Sequence, residues 1–519
     1  MRPKFARQLQ SIVEPTVPRR GAAEALKARA KGVVAAVTGR AAPEALGGFA
    51  LPAQPPPELS WQQYAVFLLY VAAEIEHALL VQYLFAAYTL DETVVPEEHR
   101  PIVRRWQEII LGIAKEEMGH FISVQNVLRL VAAPLNLERE DYPFDSEFYP
   151  FDFTLEKLTR GSLSKYIYVE MPADWTTPPA EEVKELAREA NHGESPNRVG
   201  DLYAAMIALL SDTTRIPDDF FVADTTGMQA SFAEWGRSYK SGARGNLLTR
   251  DHPRTPELII EIVDSRESAV SLLQQIAEQG EGVGAVHLTG EALELSHFRR
   301  FLDIFNEWTA IGVDFDPSRN VATNPIVDAD LPEAAEREGE APDPCDPVTS
   351  TITDPQAFYW AHLQNLRYRM LLVDLGHAFH LDGALGSTTE VTARGEIITW
   401  TFTEMYNIRA LAGILVRLPL ERGGDASRRA AGPPFQMPYT LELPDREVDR
   451  WRWHRELLRT SIALIGTIEA LEPPPEPRGL AYLKALRESD EQALQMVEKM
   501  IVAEQTKVNV QRAAAKGAV

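Results

Sequence analysis

The sequence predicts an all-α protein: a four-helix bundle with a long crossover, followed by a second helical domain. Three observations carry that expectation. Apolar residues recur at helical spacing over long stretches. Proline and glycine punctuate those stretches where helices would begin and end. No run of alternating apolar and polar residues of strand type breaks the pattern at any length.

Taken in order, the elements are these. Residues 1–58 read as a locally basic, mobile or partner-docking arm that ends in the proline-rich LPAQPPPE, with an anchor for a membrane or polyanion as the alternative. A first helix is expected over 60–90, where Phe67, Val71, Ala78, Val81 and Phe85 share helical spacing. Pro101 suits a first turn and opens a second helix to about Val131. A long, aromatic-rich crossover over 134–255 holds a shorter helix near Gly200–Leu210, and short strands fit there, as at Lys165–Glu170. Pro256 opens a third helix to Gln279, stopped by Gly280 and Gly282, and a fourth spans about 290–310. Two long helices, a long connection and two more helices make one four-helix-bundle topology. Residues 326–347 are dominated by acids and prolines, which bury little apolar surface, and read as a linker between a 59–325 bundle and a 348–519 second domain. Helices in that second domain are expected at about 355–378, 394–418, 446–471 and 478–515.

Composition narrows the function. The chain has 519 residues, 52 Lys+Arg against 75 Asp+Glu, and one cysteine. The net charge of −23 argues against nucleic acid as a partner and against broad adhesion to an anionic membrane. Cys345 alone excludes an internal disulfide, a cysteine zinc finger and a cysteine-held iron–sulfur cluster, and places any chemistry on other residues. The apolar run Tyr64–Ala73 stops at Glu74, well short of the ~20 residues a spanning helix needs. No apolar signal-peptide core is present near Met1, and a reducing cytoplasm is the simplest compartment.

Acids interrupt the apolar helix faces. Glu74, Glu76 and His77 fall inside VAAEIEHALLVQYLFAAY; Glu116, Glu117 and His120 inside IILGIAKEEMGHFISVQNVL; Glu278 inside SLLQQIAEQGEG; Glu294 and His297 inside EALELSHFRRFLDIF. Two of these are Glu-x-x-His, which puts a carboxylate and an imidazole on one face, one turn apart. Bundles that hold two iron or manganese ions take a Glu from each of two helices and a Glu-x-x-His from each of the other two. Oxygen ligands with imidazole suit such ions, and burying so many acids without cations would be costly.

Residues 59–310 resemble the ferritin-like domain of iminophenyl-pyruvate dimer synthases, enzymes of violacein and rebeccamycin-type indole pathways. The resemblance rests on EIEHALLVQYLFAAYTL, IAKEEMGHFISVQNVL, the YPF and YVEMP (Tyr168–Pro172) segments, IAEQGEG and SHFRRF, with GPPFQMP matching the C-terminal part. It implies a ferritin-like bundle and oxidative chemistry on amino-acid-derived imines, with a flavin amine oxidase as partner. The wider family places a Glu six residues before a Gln-Tyr pair. Gln82–Tyr83 thereby points to Glu76, with Glu74 and His77 in outer positions. The family tends to carry a Glu where Asp201 stands here.

The expected metal set is Glu76, Glu117, His120, Glu278, Glu294 and His297, and all but Glu278 are also expected to be catalytic. Glu278 is favoured because Glu294, near the start of its helix, needs an antiparallel partner near the end of the preceding one. Glu281, Glu267, Glu261 and Asp201 stay open as alternatives. Glu116 is expected to point to solvent. Glu74, Gln82 and Gln125 are candidates to orient the histidines, and Tyr83, Tyr88 and Trp106 are expected nearby, chiefly as core. His377 and His380 in LGHAFHLDG and Glu404 in TFTEMYNI are candidates for another metal site, but their spacing is not repeated, and Gly376 and Gly383 favour a helix end. Lys115, Arg129 and the aromatic cluster Tyr142, Phe144, Phe148, Tyr149, Phe151 and Phe153 are candidates for a pocket mouth. The expected function is a non-haem di-iron oxidoreductase with two iron ions (manganese or mixed Mn/Fe as variants). It would use O2 or peroxide on a small amino-acid-derived substrate, with an amine oxidase or reductase as partner, and would be a monomer or homodimer. Iron binding without an organic substrate and a metal-free scaffold are the alternatives.

Overall fold

The computed structural model describes residues 51–146, 148–235, 258–281, 285–287, 293–331, 349–381, 392–438 and 441–517. Most of the 1–58 arm, most of the 326–347 segment and Cys345 lie outside them.

Helix α1, Trp61–Thr89, opens at a reciprocal cap: Ser60 Oγ accepts from the Gln63 amide, and Gln63 Oε1 accepts from the Ser60 amide. Its residues are apolar on nearly every side, so it is buried on nearly every side. By length and composition it could cross a membrane, but 78% of its most apolar window is packed inside the protein. That is the pattern of a central core helix. Helix α2, Arg100–Leu130, carries Pro101 in its first turn and packs along α1.

The crossover contributes α3 (Arg160–Val169), α4 (Ala180–Ala190) and α5 (Val199–Ser211). Lys165–Val169 is helical, contrary to the strand expected there. Thr159 and Ser162 form a capping box that starts the helix, and Glu170 ends it. Helix α6, Arg266–Glu281, starts well after Pro256, because Ser265 and Ser268 cap it by bonding to each other's amide. Strands β1 (Ala285–His287) and β2 (Leu293–Leu295) form a small antiparallel hairpin before α7, His297–Ile311. The fourth bundle helix therefore starts at His297, not near 290. Ser296 Oγ accepts from the Arg299 amide and fixes that start. Helix α5 packs on α6 and α1, and α7 packs on α3, α6 and α2. These contacts bring α1, α2, α3, α5, α6 and α7 round one interior.

Strand β3 (Pro325–Ile326) pairs in parallel with β4 (Ser350–Thr351). Helices α8 (Pro355–Ala378), α9 (Ala393–Leu415), α10 (Glu447–Glu469) and α11 (Pro477–Gly517) follow close to their expected bounds. One continuous apolar cluster joins α1 and α2 to α8, α9 and α10. Within it the Tyr368 hydroxyl of α8 hydrogen-bonds His77 Nε2 of α1.

Candidate metal centre

Five side chains converge in the bundle interior: Glu76 from α1, Glu117 and His120 from α2, Glu170 from the end of α3 and His297 from the start of α7. They form two groups that share Glu117. One is Glu76, Glu117 and His120; the other is Glu117, Glu170 and His297. In each group the ligand-type atoms lie within 4.8 Å of one another, and every member is buried. His120 Nδ1 is 2.9 Å from Glu117 Oε2 and 3.3 Å from Glu76 Oε2. His297 Nδ1 is 3.0 Å from Glu117 Oε1 and 3.7 Å from Glu170 Oε1.

The outward nitrogens are held as metal-binding histidines usually are, by an acceptor on the far side of the ring. His120 Nε2 meets Gln279 Oε1 at 2.7 Å. His297 Nε2 meets Glu116 Oε2 at 3.1 Å, and Arg300, one turn further along α7, pairs with the same carboxylate. Two tyrosines complete the shell. Tyr203 donates to Glu76 Oε1 at 2.5 Å, and Tyr83 donates to Glu170 Oε1 at 2.8 Å. Each half thus pairs one carboxylate with a tyrosine and one histidine with an acceptor, and Glu117 joins the halves.

Packed acids and imidazoles shift one another. Burial, reinforced by the Glu117 carboxylate, pushes Glu76 up to about 7. Burial opposes charge on His120, but hydrogen bonds to Glu117 and Glu76 win and push it up to about 10. His297 is likewise raised well above the usual imidazole range: burial opposes the charge, and Glu117, Glu116 and Glu170 overcome it. Against burial, the Arg300 guanidinium and His297 hold Glu116 well below the usual carboxylate range. The four clustered carboxylates favour positive charge at this site. Glu117 Oε1 and His297 Nδ1 face each other 3.0 Å apart as an ion pair, outside hydrogen-bond geometry. Facing ligand-type atoms at the junction of two carboxylate–imidazole groups fit a pair of hard divalent ions.

Glycines make room for two of the acids. A Cβ on Gly280 would stand 2.8 Å from Glu170 Oε2, and one on Gly200 would collide with Glu281 at 1.7 Å. The cavity beside the cluster is only about 20 Å³, with Glu281, Gly200, Gly280 and Tyr203 among its walls. That is room for about one water-sized molecule.

Several expectations change. Glu76, Glu117, His120 and His297 come together in the bundle interior. Glu278 is exposed on α6 and outside the cluster. One residue on, 100° further round the helix, Gln279 reaches His120 instead. Glu294 lies on β2, in register with Val286, so it does not share a helical turn with His297. Glu116 is fully buried, not solvated, because Arg300 and His297 compensate its charge. Glu281 lines the cavity near Arg198, with Asp201 beside that arginine, while Glu74 hydrogen-bonds Asn136. Gln82 binds the Thr154 carbonyl, and Gln125 binds Asn136 and Phe121; neither touches the histidines. Trp106 stacks on Trp308 and donates to Glu307. The crossover aromatics pack on one another as core, Lys115 is exposed and Arg129 donates to the Phe379 carbonyl. Glu170 and Tyr203 lie outside the set that the sequence predicts. Glu170, inside YVEMP, carries no helical spacing to a histidine.

A family model described as Ferritin-like matches residues 69–306. The dichlorochromopyrrolate synthase of Lentzea aerocolonigenes is 28% identical over 397 residues, covering 70% of this chain and 35% of that protein. The 2-imino-3-(indol-3-yl)propanoate dimerase of Chromobacterium violaceum is 23% identical over 434 residues, covering 78% of this chain and 36% of that protein. The chain therefore spans about a third of the length of these relatives. Among solved structures, a ferritin-like protein from Caulobacter vibrioides is 14% identical with a TM-score of 0.39, covering 74% of this chain and all of that one. The buried carboxylate–histidine interior of α1, α2 and α7 falls within the residues that match the Ferritin-like family model.

Proposed function

We propose that this domain binds two metal ions, iron by preference and manganese as a variant, and is a non-haem oxidoreductase acting on a small amino-acid-derived substrate. The observation that carries the reading is the pair of buried carboxylate–imidazole groups sharing Glu117. Glu76 and His120 would hold one ion, Glu170 and His297 the other, and Glu117 both. The ions would supply redox chemistry with O2 or peroxide. The chain's own groups set the rest: Gln279 and Glu116 fix the ring orientation of the histidines, and Tyr83 and Tyr203 hold a carboxylate each through a donated hydrogen bond. The enclosing apolar shell keeps bulk water out, and the small cavity admits a diatomic or a water. An organic substrate requires the wall at Gly200 and Glu281 to move.

The named relatives support an imine-coupling oxidation, since one of them is called an iminopropanoate dimerase. An amine oxidase that makes the imine, or a reductase, is the partner this reading requires. Two measurements test it. Metal analysis of protein from iron-replete cells should give about two ions per chain. Product analysis with aromatic amino acids and an amine oxidase should then show a coupled product that Glu117→Ala abolishes. Protein that holds no metal, or makes the same product after that substitution, overturns the reading.

A further inference from the structure

A second cluster of titratable groups lies between α8 and α10, on residues outside the bundle centre. Asp374 Oδ1 is 3.2 Å from His454 Nδ1. His454 Nε2 is 2.8 Å from His377 Nδ1. His377 Nε2 is 2.9 Å from Glu447 Oε1, and Arg450 also holds Glu447, at 3.1 Å. Asp374, His377 and His454 are buried, whereas the Glu447 side chain keeps 24% of its surface exposed. Trp451 and Trp400 wall the two stacked imidazoles.

Proton counting makes this row unusual. It has three short gaps, each needing one proton, and two neutral imidazoles supply only two. If both rings donate outward to their carboxylates, two nitrogen lone pairs face each other across 2.8 Å. That arrangement is repulsive unless a cation lies between them. A carboxylate behind each ring, turning the free nitrogens toward a shared point, is also how metal-binding histidines are oriented.

We propose that His377 Nδ1 and His454 Nε2 bind a divalent metal ion of the imidazole-preferring class, of which Zn2+ is the probe. Asp374 and Glu447 are positioning residues that orient the ligands. A metal–nitrogen distance of ~2.0–2.1 Å requires the two nitrogens to part by only some tenths of an ångström, and water completes the coordination. Glu447 is the member of the row that reaches solvent. The site is independent of the bundle centre, so either reading can fail without the other.

The full chain, stripped by chelator and checked for helix content, is titrated with Zn2+ and assayed by elemental analysis. One zinc is expected to persist in a His120→Ala/His297→Ala variant and to be lost on His377→Gln or His454→Gln. Asp374→Asn and Glu447→Gln keep both ligands and should weaken zinc binding by about 10–100-fold, which a merely structural role for the carboxylates would not do. A bundle variant that holds no zinc, or zinc retained unchanged in His454→Gln, overturns the proposal and leaves a shared proton as the cation.

Discussion

Glu117 Oε1 and His297 Nδ1 lie 3.0 Å apart in the bundle interior as an ion pair. The residues come from α2 and α7, so their meeting is a product of the tertiary fold. Glu117 serves both halves of the cluster, whereas Glu76 and Glu170 serve one each. Glu117→Ala should therefore empty the centre, from about two ions per chain to nearly none. Glu76→Ala and Glu170→Ala should each leave about one. Elemental analysis of the purified variants reads the difference, and equal losses in all three would show that Glu117 is not shared.

Arg300 supports the second half at one remove. It pairs with the buried Glu116 carboxylate, which holds His297 Nε2. Arg300→Ala strips a buried carboxylate of its guanidinium, and breaking such a pair costs about 3–5 kcal/mol. Urea unfolding should show that loss. Glu116→Gln keeps the shape and an acceptor oxygen but removes the charge. It should fold and lose about 10–100-fold in metal affinity, as measured against a competing chelator.

The sequence made part of this centre readable. Glu117 and His120 sit on one long helix, so their spacing alone places them together, and Glu76 was reached through the Gln82–Tyr83 pair. What spacing could not reveal is what tertiary packing decides. Glu170 ends a short helix in the crossover and joins His297 only because α3 packs on α7. Helix α6 presents Gln279 and not Glu278 because one residue turns a side chain by 100°. The capped start of α7 at Ser296 removes Glu294 from the helix, and nothing in a Glu-x-x-His pattern reports a cap. Glu116 looked solvated because its partner, Arg300, is 184 residues away. The C-terminal helices were easier, since long apolar periodicity bounded by proline and glycine needs no knowledge of partners.

Gly280 is where backbone and centre come closest. A Cβ there would stand 2.8 Å from Glu170 Oε2. The clash is with the end of a flexible side chain, so Gly280→Ala should cost little stability. Alanine's better helix propensity offsets some strain, by about 1 kcal/mol. It should instead push Glu170 off its place and weaken the ion held with His297. The expected result is an almost unchanged melting temperature with about one ion lost per chain. A variant that keeps its full metal content would place Glu170 outside the ligand set.

Protons and metal compete at this centre. In the metal-free chain His120 is pushed up to about 10 and His297 also lies well above its usual range. Both imidazoles are then charged at neutral pH, and their pairing with carboxylates stabilises the fold fully below the unfolded value of about 6.5. That contribution is lost as pH rises through the folded values. Metal binding needs the neutral rings, so loading the centre must expel the protons. Apparent affinity should therefore climb between pH 6 and 9, by about tenfold per pH unit for each proton released. Chelator competition across that range measures the slope, and loading in weakly buffered solution should acidify it. Affinity that stays flat over those pH values would mean that the histidines are not ligands.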